Sequence, residues 1–370
     1  MKIALVVFRF GPSHGSILQT YALTRALESL GHDVTIIDRQ KPHEWQDYDA
    51  CLRRVVKNLI GGKFSWSDFY LGSFSNVMMS KLNVFINAQL RSQTITISKD
   101  KELRRIGAVE YDAYIVGSDQ TWRPKYVYNV YNYFLDFVPS ERKVKRIAYA
   151  PSFGTSEWEY SFDQEEKCKV LITLFDGVSV REDDGVAMCK KHFGVDAEHV
   201  VDPTMLLTGD DYREFVISSK EEPYIGYNFL DFSEDKLSKV KNVSEALGLP
   251  SKALISMGDD KKTARERIAP SIEEWISGIA NSEFVLVDSF HATVFCILFH
   301  KNFITIGNEA RGLSRFTSLL KMVGLENRLL NSKEPLTESL IKERIDWAKV
   351  DEKLASMRES SICFLKNSFS

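Results

Sequence analysis

The sequence lacks the features that would place the chain across a membrane or in an oxidising compartment. No apolar run approaches the ~20 residues that a membrane-spanning helix requires. The five cysteines are scattered, without a Cys-x-x-Cys pair or a His/Cys cluster, which argues against a disulfide framework and a zinc site. The opening run MKIALVVF is too short for the core of a signal peptide. We therefore predict a cytoplasmic protein without a transmembrane segment.

The sequence also has little net charge and no common nucleotide-binding motif. A formal net charge of -3 provides no general attraction to nucleic acid or to an anionic membrane, so neither is expected as a partner. A Gly-x-Gly-x-x-Gly motif and a Walker lysine are both absent, which argues against dinucleotide and P-loop sites. The histidines are dispersed and no acidic or histidine triplet has metal-ligand spacing, so no metal is predicted. With 370 residues, the chain exceeds the usual size of one hydrophobic core.

Hydrophobic periodicity predicts two α/β units. Residues 3–8 form an apolar run, residues 17–30 have helical spacing of apolar positions, and residues 32–38 form a second apolar run. This β-loop-α-β opening is typical of a doubly wound sheet. After Leu207 the pattern of alternating strands and helices begins again. We predict an N-terminal domain over 1–207 with an α-rich insertion at about 41–107, a C-terminal domain over 208–337, and a helical segment over 338–370.

Several predicted strands of the first unit end in polar loops. The carboxyl ends of parallel strands meet at one edge of a sheet, where α/β proteins bind ligands. We therefore expect a binding cleft between the two units. The strand-end loops are Gly117–Trp122, Ala150–Gly154, Arg181–Glu182 and Asp202–Thr204. Asp202-Pro203 is interpreted as structural, because both residues are common in turns.

The second unit contains a polar elbow between two apolar runs. The run Phe284–Val287 is interrupted by Asp288-Ser289-Phe290-His291, and a second apolar run, Ala292–Phe299, follows. This pattern predicts a strand, a polar elbow and a buried helix. His291 titrates near neutral pH, which suits proton transfer. The competing interpretation is that His291 only caps or packs the start of the helix.

Six segments in register resemble the polysaccharide pyruvyl transferase family. They are GSILQTYAL at 15–23, YDAYIVGSDQTW at 111–122, YAPSFG at 149–154, SVRE at 179–182, VDPTMLL at 201–207 and DSFHATVF at 288–295. The resemblance implies two Rossmann-like domains that face a cleft in a GT-B-like fold. It also implies transfer of the enolpyruvyl carbon skeleton of phosphoenolpyruvate to two hydroxyls of a sugar. The product would be a pyruvate ketal on a capsule, an exopolysaccharide or a precursor.

The same resemblance assigns roles to individual residues. His291 corresponds to the histidine that acts as general acid, and Arg181 to an arginine that binds the donor anion. A further arginine follows the histidine, for which Arg311 has the best spacing and Arg315 is the alternative. Guanidinium groups suit the carboxylate and phosphate of the donor because they bind oxyanions with two parallel hydrogen bonds. The competing interpretations are a pair of Arg181 with Glu182 or Asp183, and a surface position for Arg311.

Further predicted substrate contacts come from the remaining loops. The elbow has Phe290 where the family pattern Ser-x-Arg-x-His has its arginine, so Arg123 is a candidate replacement charge. His14, in a Ser-His-Gly loop, is a candidate acceptor contact or second acid/base, with a solvated turn residue as the alternative. The predicted substrate-binding set is completed by Asp119, Gln120, Ser152 and Ser289.

Two other functions stay open at this stage. A glycosyltransferase that uses a nucleotide sugar would need an acidic residue for the ribose in the second domain, and Glu309 is available. A non-catalytic sugar-binding relative is the second alternative. For the pyruvyl transferase we expect no cofactor beyond the donor substrate and a sugar acceptor, free, nucleotide-linked or lipid-linked. A lipid-linked acceptor would bring the protein to the membrane surface as a peripheral contact.

Overall fold

A computed structural model describes residues 1–41, 56, 77–109, 111–218, 222–255, 267–307 and 312–370. These residues form two parallel β-sheets, of seven and five strands. The sheets confirm the predicted α/β class with two doubly wound units. The predicted domain boundaries are not decided by the sheets and stay a prediction. Most of the expected insertion, 42–55 and 57–76, lies outside the described residues.

The first sheet has the strand order β3-β2-β1-β4-β5-β6-β7. Its strands are β1 (Lys2–Phe8), β2 (Asp33–Arg39), β3 (Thr94–Ile97), β4 (Ala113–Val116), β5 (Lys145–Ala148), β6 (Gly177–Val180) and β7 (Glu198–His199). Successive side chains of a strand point to opposite faces, and β1 is apolar on both. Leu5 lies in one hydrophobic core and Val6 in another. The sheet is therefore covered on both faces, as parallel sheets usually are.

The helices that precede the second sheet begin with α1, which follows β1. Ser13 caps α1, accepting a hydrogen bond from the backbone N–H of Ser16, and Gly31 follows its end with a φ of 83°. A positive φ costs glycine little, which explains why the helix ends there. The helices are α1 (His14–Ser29), α2 (Ser80–Gln89), α3 (Asp100–Ala108), α4 (Phe162–Ile172), α5 (Asp183–Met188) and α6 (Gly209–Tyr212).

The second sheet has the strand order β12-β11-β10-β8-β9. Its strands are β8 (Ile225–Asn228), β9 (Ser251–Ala253), β10 (Phe284–Val287), β11 (Asn302–Gly307) and β12 (Leu329–Asn331). Its helices, with the two that follow, are α7 (Glu234–Leu247), α8 (Ile272–Ala280), α9 (Phe290–Leu298), α10 (Ser314–Val323), α11 (Glu338–Lys342) and α12 (Trp347–Phe369). Val285 of β10 belongs to the same core as Leu5 of β1, so one continuous core joins the two sheets.

The C-terminal helix α12 packs back onto the first sheet. Phe364 and Leu365 are buried there, and Ser361 Oγ accepts a hydrogen bond of 3.0 Å from the backbone N–H of Val201. Arg358 Nε donates to the carbonyl of Met205 at 2.8 Å. The predicted C-terminal helix is thus confirmed, and it ties the end of the chain to the first sheet. Among the described helices, none is long and apolar enough to cross a bilayer.

Two local expectations differ from the structure. Residues 94–97, which we expected inside an α-rich insertion, form the edge strand β3 and pair with β2 in parallel. The alternation in TITI is a strand signal, but neighbouring helical patterns hide it in the sequence. The apolar residues of segment 254–257 predict a strand there, but the strand lies earlier, at Ser251–Ala253, and residues 256–266 lie outside the described part of the chain.

Candidate active site

The strand order reverses once in each sheet, and the loops at both reversals line one cavity of about 430 Å³. Residues 12–15 follow β1, and Asp119 and Gln120 follow β4. From the second sheet, residues 228–230 follow β8 and residues 288–291 follow β10. Open α/β sheets bind ligands at such reversal points, beyond the carboxyl ends of the strands. This cavity is therefore the candidate active site.

The first residue of the elbow, Asp288, fixes the elbow in place. Its carboxylate accepts hydrogen bonds from the backbone N–H groups of Leu230 at 2.6 Å and Asp231 at 3.2 Å. Lys236 Nζ lies 2.6 Å from Asp288 Oδ2, in an ion pair that is almost completely buried. Because the loop after β8 and helix α7 are both tied to this carboxylate, the elbow is held rigidly against the second sheet.

His291 is the second residue of α9 and lines the cavity. Its imidazole lies against the backbone of Gly15 in α1. A Cβ atom added to Gly15 would lie 2.0 Å from His291 Nδ1, far inside van der Waals contact. Gly15 and His291 both line the cavity, and the ring occupies the space that a side chain at position 15 would need. No local sequence pattern predicts this contact between Gly15 and His291.

Asp202 supports His291 from the opposite side. Its Oδ2 lies 3.8 Å from His291 Nε2, and Nε2 has no hydrogen-bond partner among the described residues. Thr204 donates to Asp202 Oδ1 through its backbone and hydroxyl, and Gln19 donates to Oδ2. Burial acts to raise the pKa of Asp202, but the charges of His291 and Arg181 outweigh it and the pKa is lowered. Asp202 is therefore an anion at neutral pH.

The pKa of His291 is lowered, with burial as the largest cause. The carboxylates of Asp202 and Asp119 act to raise it, while Arg181 and Arg315 act to lower it further. With a reference pKa of about 6.5, the imidazole is neutral in the unliganded protein at neutral pH. Because an anion bound in the cavity would favour the imidazolium, ligand binding and protonation of His291 are coupled.

Arg181 lies at the centre of a carboxylate cluster just behind the cavity. Its Nε donates to Glu182 at 3.1 Å, its Nη1 donates to Asp202 at 3.0 Å, and its Nη2 lies 3.9 Å from Asp119. Burial would lower the pKa of Arg181, but the three carboxylates outweigh it and raise the pKa. The expected pair with Glu182 is present. Only Nη2 lacks a hydrogen-bond partner among the described residues, and because that atom is buried and Arg181 does not line the cavity, Arg181 acts on the cavity through its charge.

Phe290 lies directly before His291 in the elbow, at the first position of α9. Its ring lies 4.6 Å from the guanidinium carbon of Arg181 and 5.9 Å from that of Arg315. The negative face of an aromatic ring attracts cations, so the ring stabilises both guanidinium groups. Phe290 therefore places two cations beside the cavity without contributing a charge of its own.

Arg315 has no hydrogen bond or ion pair with any residue that the structure describes, and it lines the cavity. Burial and the nearby charge of Arg181 lower its pKa to about 10, so it stays protonated at neutral pH. An unpartnered buried cation is costly in an apolar setting and favours binding of an anion. The sequence favoured Arg311 for this role, and Arg311 lies outside the described residues.

His14 lines the cavity in a fixed, neutral form. Its ring stacks on Trp275 at a centroid distance of 5.0 Å, and Nε2 lies 2.9 Å from the carbonyl of Pro270. A carbonyl only accepts hydrogen bonds, so Nε2 carries the proton and Nδ1 is an acceptor. Burial lowers the pKa of His14 to about 4. His14 is thus held between the two domains rather than solvated in a turn.

Asp119 and Gln120 line the cavity, whereas Arg123 lies behind them. Asp119 has a φ of 81°, and its Oδ1 accepts a hydrogen bond from the N–H of Gln120. Arg123 forms two hydrogen bonds to Glu159, at 2.9 and 3.0 Å, and one of 3.0 Å to Gln120 Oε1. The guanidinium that we considered as a replacement charge is therefore already paired, and Arg123 does not line the cavity.

The two predicted serines differ in position. Ser289 precedes α9 and lines the cavity, and its side chain does not cap the helix. The start of α9 therefore lies at the cavity without a side-chain cap, and the uncapped N–H groups of a helix start suit an anion. Ser152 is completely buried and donates to Glu182 at 2.5 Å. Ser152 supports the partner of Arg181 and does not line the cavity.

Sequence reasoning missed two residues that define the site. Asp202 was interpreted as a turn former, yet its carboxylate faces His291. Gly15 belongs to a loop and motif that predict a helix start, whereas its lack of a side chain makes room for the imidazole of His291. An acidic residue directly before a proline at a strand end was the only available signal for Asp202. Among the described residues, no group of three histidine, cysteine or acidic side chains has the geometry of a metal site.

Comparison with known proteins gives the same family as the six sequence segments. The model of the polysaccharide pyruvyl transferase family matches residues 14–310, which is most of the chain. No curated protein is significantly similar in sequence. The UDP-GlcNAc 2-epimerase of Neisseria meningitidis shares 9% identity and a TM-score of 0.47, covering 100% of this chain and 94% of that chain. The ADP-heptose LPS heptosyltransferase II of E. coli shares 11% identity and a TM-score of 0.39, covering 97% and 99%. Neither structural similarity says anything about substrates.

Proposed function

This chain belongs to the polysaccharide pyruvyl transferase family and is a transferase, and from that membership we propose that it uses phosphoenolpyruvate to form a pyruvate ketal on a sugar of a surface polysaccharide or its precursor. The observation that carries the proposal is the cavity at the two strand reversals, which is lined by His291 and by Arg315, a cation without a hydrogen bond to any described residue. A proton donor and a free cation are what an anionic enol ester requires.

Donor binding in this proposal depends on Arg315. Its guanidinium has no other partner among the described residues, and the uncapped start of α9 offers backbone N–H groups nearby. Both features favour the carboxylate or phosphate of phosphoenolpyruvate. Arg181 contributes positive charge from behind the cavity, since its Nε and Nη1 are occupied by Glu182 and Asp202.

Proton transfer in this proposal depends on His291 and Asp202. Donor binding raises the pKa of His291, and the carboxylate of Asp202 beside Nε2 stabilises the imidazolium. The imidazolium then gives a proton to the methylene carbon of phosphoenolpyruvate, and the adjacent carbon becomes oxocarbenium-like. One sugar hydroxyl adds to that carbon and returns its proton to the imidazole. The second hydroxyl then attacks the same carbon as the C–O bond to phosphate breaks, its proton leaves with the phosphate, and the ketal is complete.

The first test compares the thermal stabilisation of the protein by phosphoenolpyruvate, UDP, GDP and inorganic phosphate. A ligand that binds only the native state raises the melting temperature. We expect a selective rise with phosphoenolpyruvate. A rise with a nucleotide alone would replace this proposal with the nucleotide-sugar glycosyltransferase.

The second test uses His291→Ala. This variant should keep the stabilisation by phosphoenolpyruvate and lose turnover, because a general acid acts on the transition state more than on the ground state. Turnover is followed as phosphate release with a panel of free, nucleotide-linked and lipid-linked saccharides. Undiminished phosphate release would remove His291 from the mechanism.

A further inference from the structure

A second cavity, of about 250 Å³, lies beside the first. It lies beyond the carboxyl ends of β1 and β2, whose last residues, Phe8 and Arg39, pair in the sheet. Tyr126 lines both cavities, so the two spaces adjoin at this side chain. The proposed donor chemistry uses only the first cavity, which leaves the second without a role.

The second cavity is positively charged. Four cationic side chains line it: Arg9, Arg39, Lys41 and Lys125. None of the described lining residues carries a carboxylate. Arg39 is occupied by Asn132, two carbonyls and Asp100. Arg9, by contrast, is exposed and has no hydrogen bond or ion pair with a described residue. Arg9 is therefore a cation available to a ligand at the end of β1.

The same cavity has exposed aromatic walls. Tyr126 and Tyr128 line it and are 43% and 51% exposed, unusually high for large aromatic side chains. Each ring is held by a guanidinium group, with Arg123 at 4.4 Å from Tyr126 and Arg39 at 5.7 Å from Tyr128. Tyrosine combines an apolar ring face with a polar tip and is favoured where a surface binds amphipathic groups. Sugars have this character, with apolar C–H faces and hydroxyl edges.

We propose that the second cavity binds the acceptor as an anionic saccharide. Arg9 holds the phosphoryl or carboxylate group, the sugar ring lies against Tyr128, and the hydroxyls extend past Tyr126 towards His291. The role of this saccharide as acceptor rests on the proposed function, whereas the binding of an anionic saccharide in the second cavity does not. No covalent step occurs in the second cavity, which positions the diol for the chemistry in the first.

The test measures saccharide binding by saturation-transfer NMR in the absence of phosphoenolpyruvate. A negative result therefore concerns the second cavity alone and can be distinguished from a negative result for phosphoenolpyruvate binding. The probes are three hexose 1-phosphates, glucuronate and neutral glucose. We expect at least one anionic sugar to bind at least tenfold more tightly than glucose. The comparison between the phosphates and glucuronate decides whether a phosphoryl or a carboxylate group is preferred.

Three variants locate the site. Arg9→Ala should weaken binding of the anionic sugar about tenfold, the scale of one lost charged hydrogen bond. Arg104→Ala, an exposed arginine of α3, is the matched control and should not change the affinity. Arg315→Ala should also leave sugar binding unchanged, because Arg315 lines only the first cavity. Three results would each overturn the proposal: equal binding of glucose, no binding by any probe, or a loss with Arg315→Ala but not with Arg9→Ala.

Discussion

The contact between Gly15 and His291 makes a sharp prediction for Gly15→Ala. The added Cβ would lie 2.0 Å from Nδ1, 2.1 Å from Cγ and 2.6 Å from Cε1 of His291. Three ring atoms are involved, so a small change of one torsion angle does not relieve the clash. The imidazole or the start of α1 has to move by about 1 Å, and a misplacement of that size can lower a rate about 100-fold.

Two effects of Gly15→Ala on the free energy of unfolding have opposite signs. In a helix, alanine is favoured over glycine by about 1 kcal/mol, so the substitution without a clash would raise stability. Overpacking a filled site costs about 1–3 kcal/mol, which cancels or reverses that gain. We therefore expect a melting temperature equal to or below that of the wild type. The rate should fall about 100-fold, equivalent to about 2.7 kcal/mol of transition-state stabilisation.

Gly11→Ala is the matched control, because a Cβ at Gly11 would meet nothing within 4 Å. Phosphate release from phosphoenolpyruvate, with an acceptor that supports turnover, measures the rate, and thermal shift measures donor binding. We expect Gly11→Ala to behave as the wild type and Gly15→Ala to bind donor but turn over slowly. Wild-type turnover with a raised melting temperature in Gly15→Ala would refute the placement of the imidazole against Gly15.

Three further substitutions test the charges around the cavity. Arg315→Ala should weaken binding of phosphoenolpyruvate by about 10- to 100-fold, since a charged hydrogen bond contributes about 1.5–3 kcal/mol. Asp202→Asn removes a charge that raises the pKa of His291, so that pKa falls. The alkaline limb of the pH–rate profile, where the acid form is lost, should then move to lower pH. Lys236→Ala leaves the carboxylate of Asp288 buried without its ion pair, and chemical denaturation should show a loss of about 3–5 kcal/mol.

Each of these variants has a control or a contrary outcome. Arg104→Ala, exposed on α3, should leave the affinity for phosphoenolpyruvate unchanged. Lys81→Ala breaks an exposed pair with Glu274 and should cost at most about 1 kcal/mol. A pH–rate profile of Asp202→Asn that coincides with the wild type would separate Asp202 from the titration of His291. An equal loss of stability in Lys81→Ala and Lys236→Ala would contradict the anchoring role of the buried pair.

The fold was largely predictable because its signals are local. Apolar runs such as residues 3–8 and Phe284–Val287 are buried strands, and the helical spacing after each strand is confirmed by α1 and α9. The elbow also follows from a local change from apolar to polar residues. Strand β3 shows the limit, because four alternating residues beside two helices carry a weak signal.

The sequence alone thus determined two α/β units, the elbow and the position of His291 at the start of a helix, since periodicity and turn residues act over a few positions. Only the tertiary structure decided which side chains meet. Gln19 and Asp202 are 183 positions apart and share a hydrogen bond, and Arg181 is surrounded by carboxylates from three different loops. Charge pairing and close packing depend on distances in space. Contacts between residues that are far apart in the sequence leave no local sequence pattern from which they could be predicted. For that reason Arg315 lines the cavity without a hydrogen bond to any described residue while Arg181 is paired behind it, and the neighbour of the imidazole is a glycine beside the other sheet.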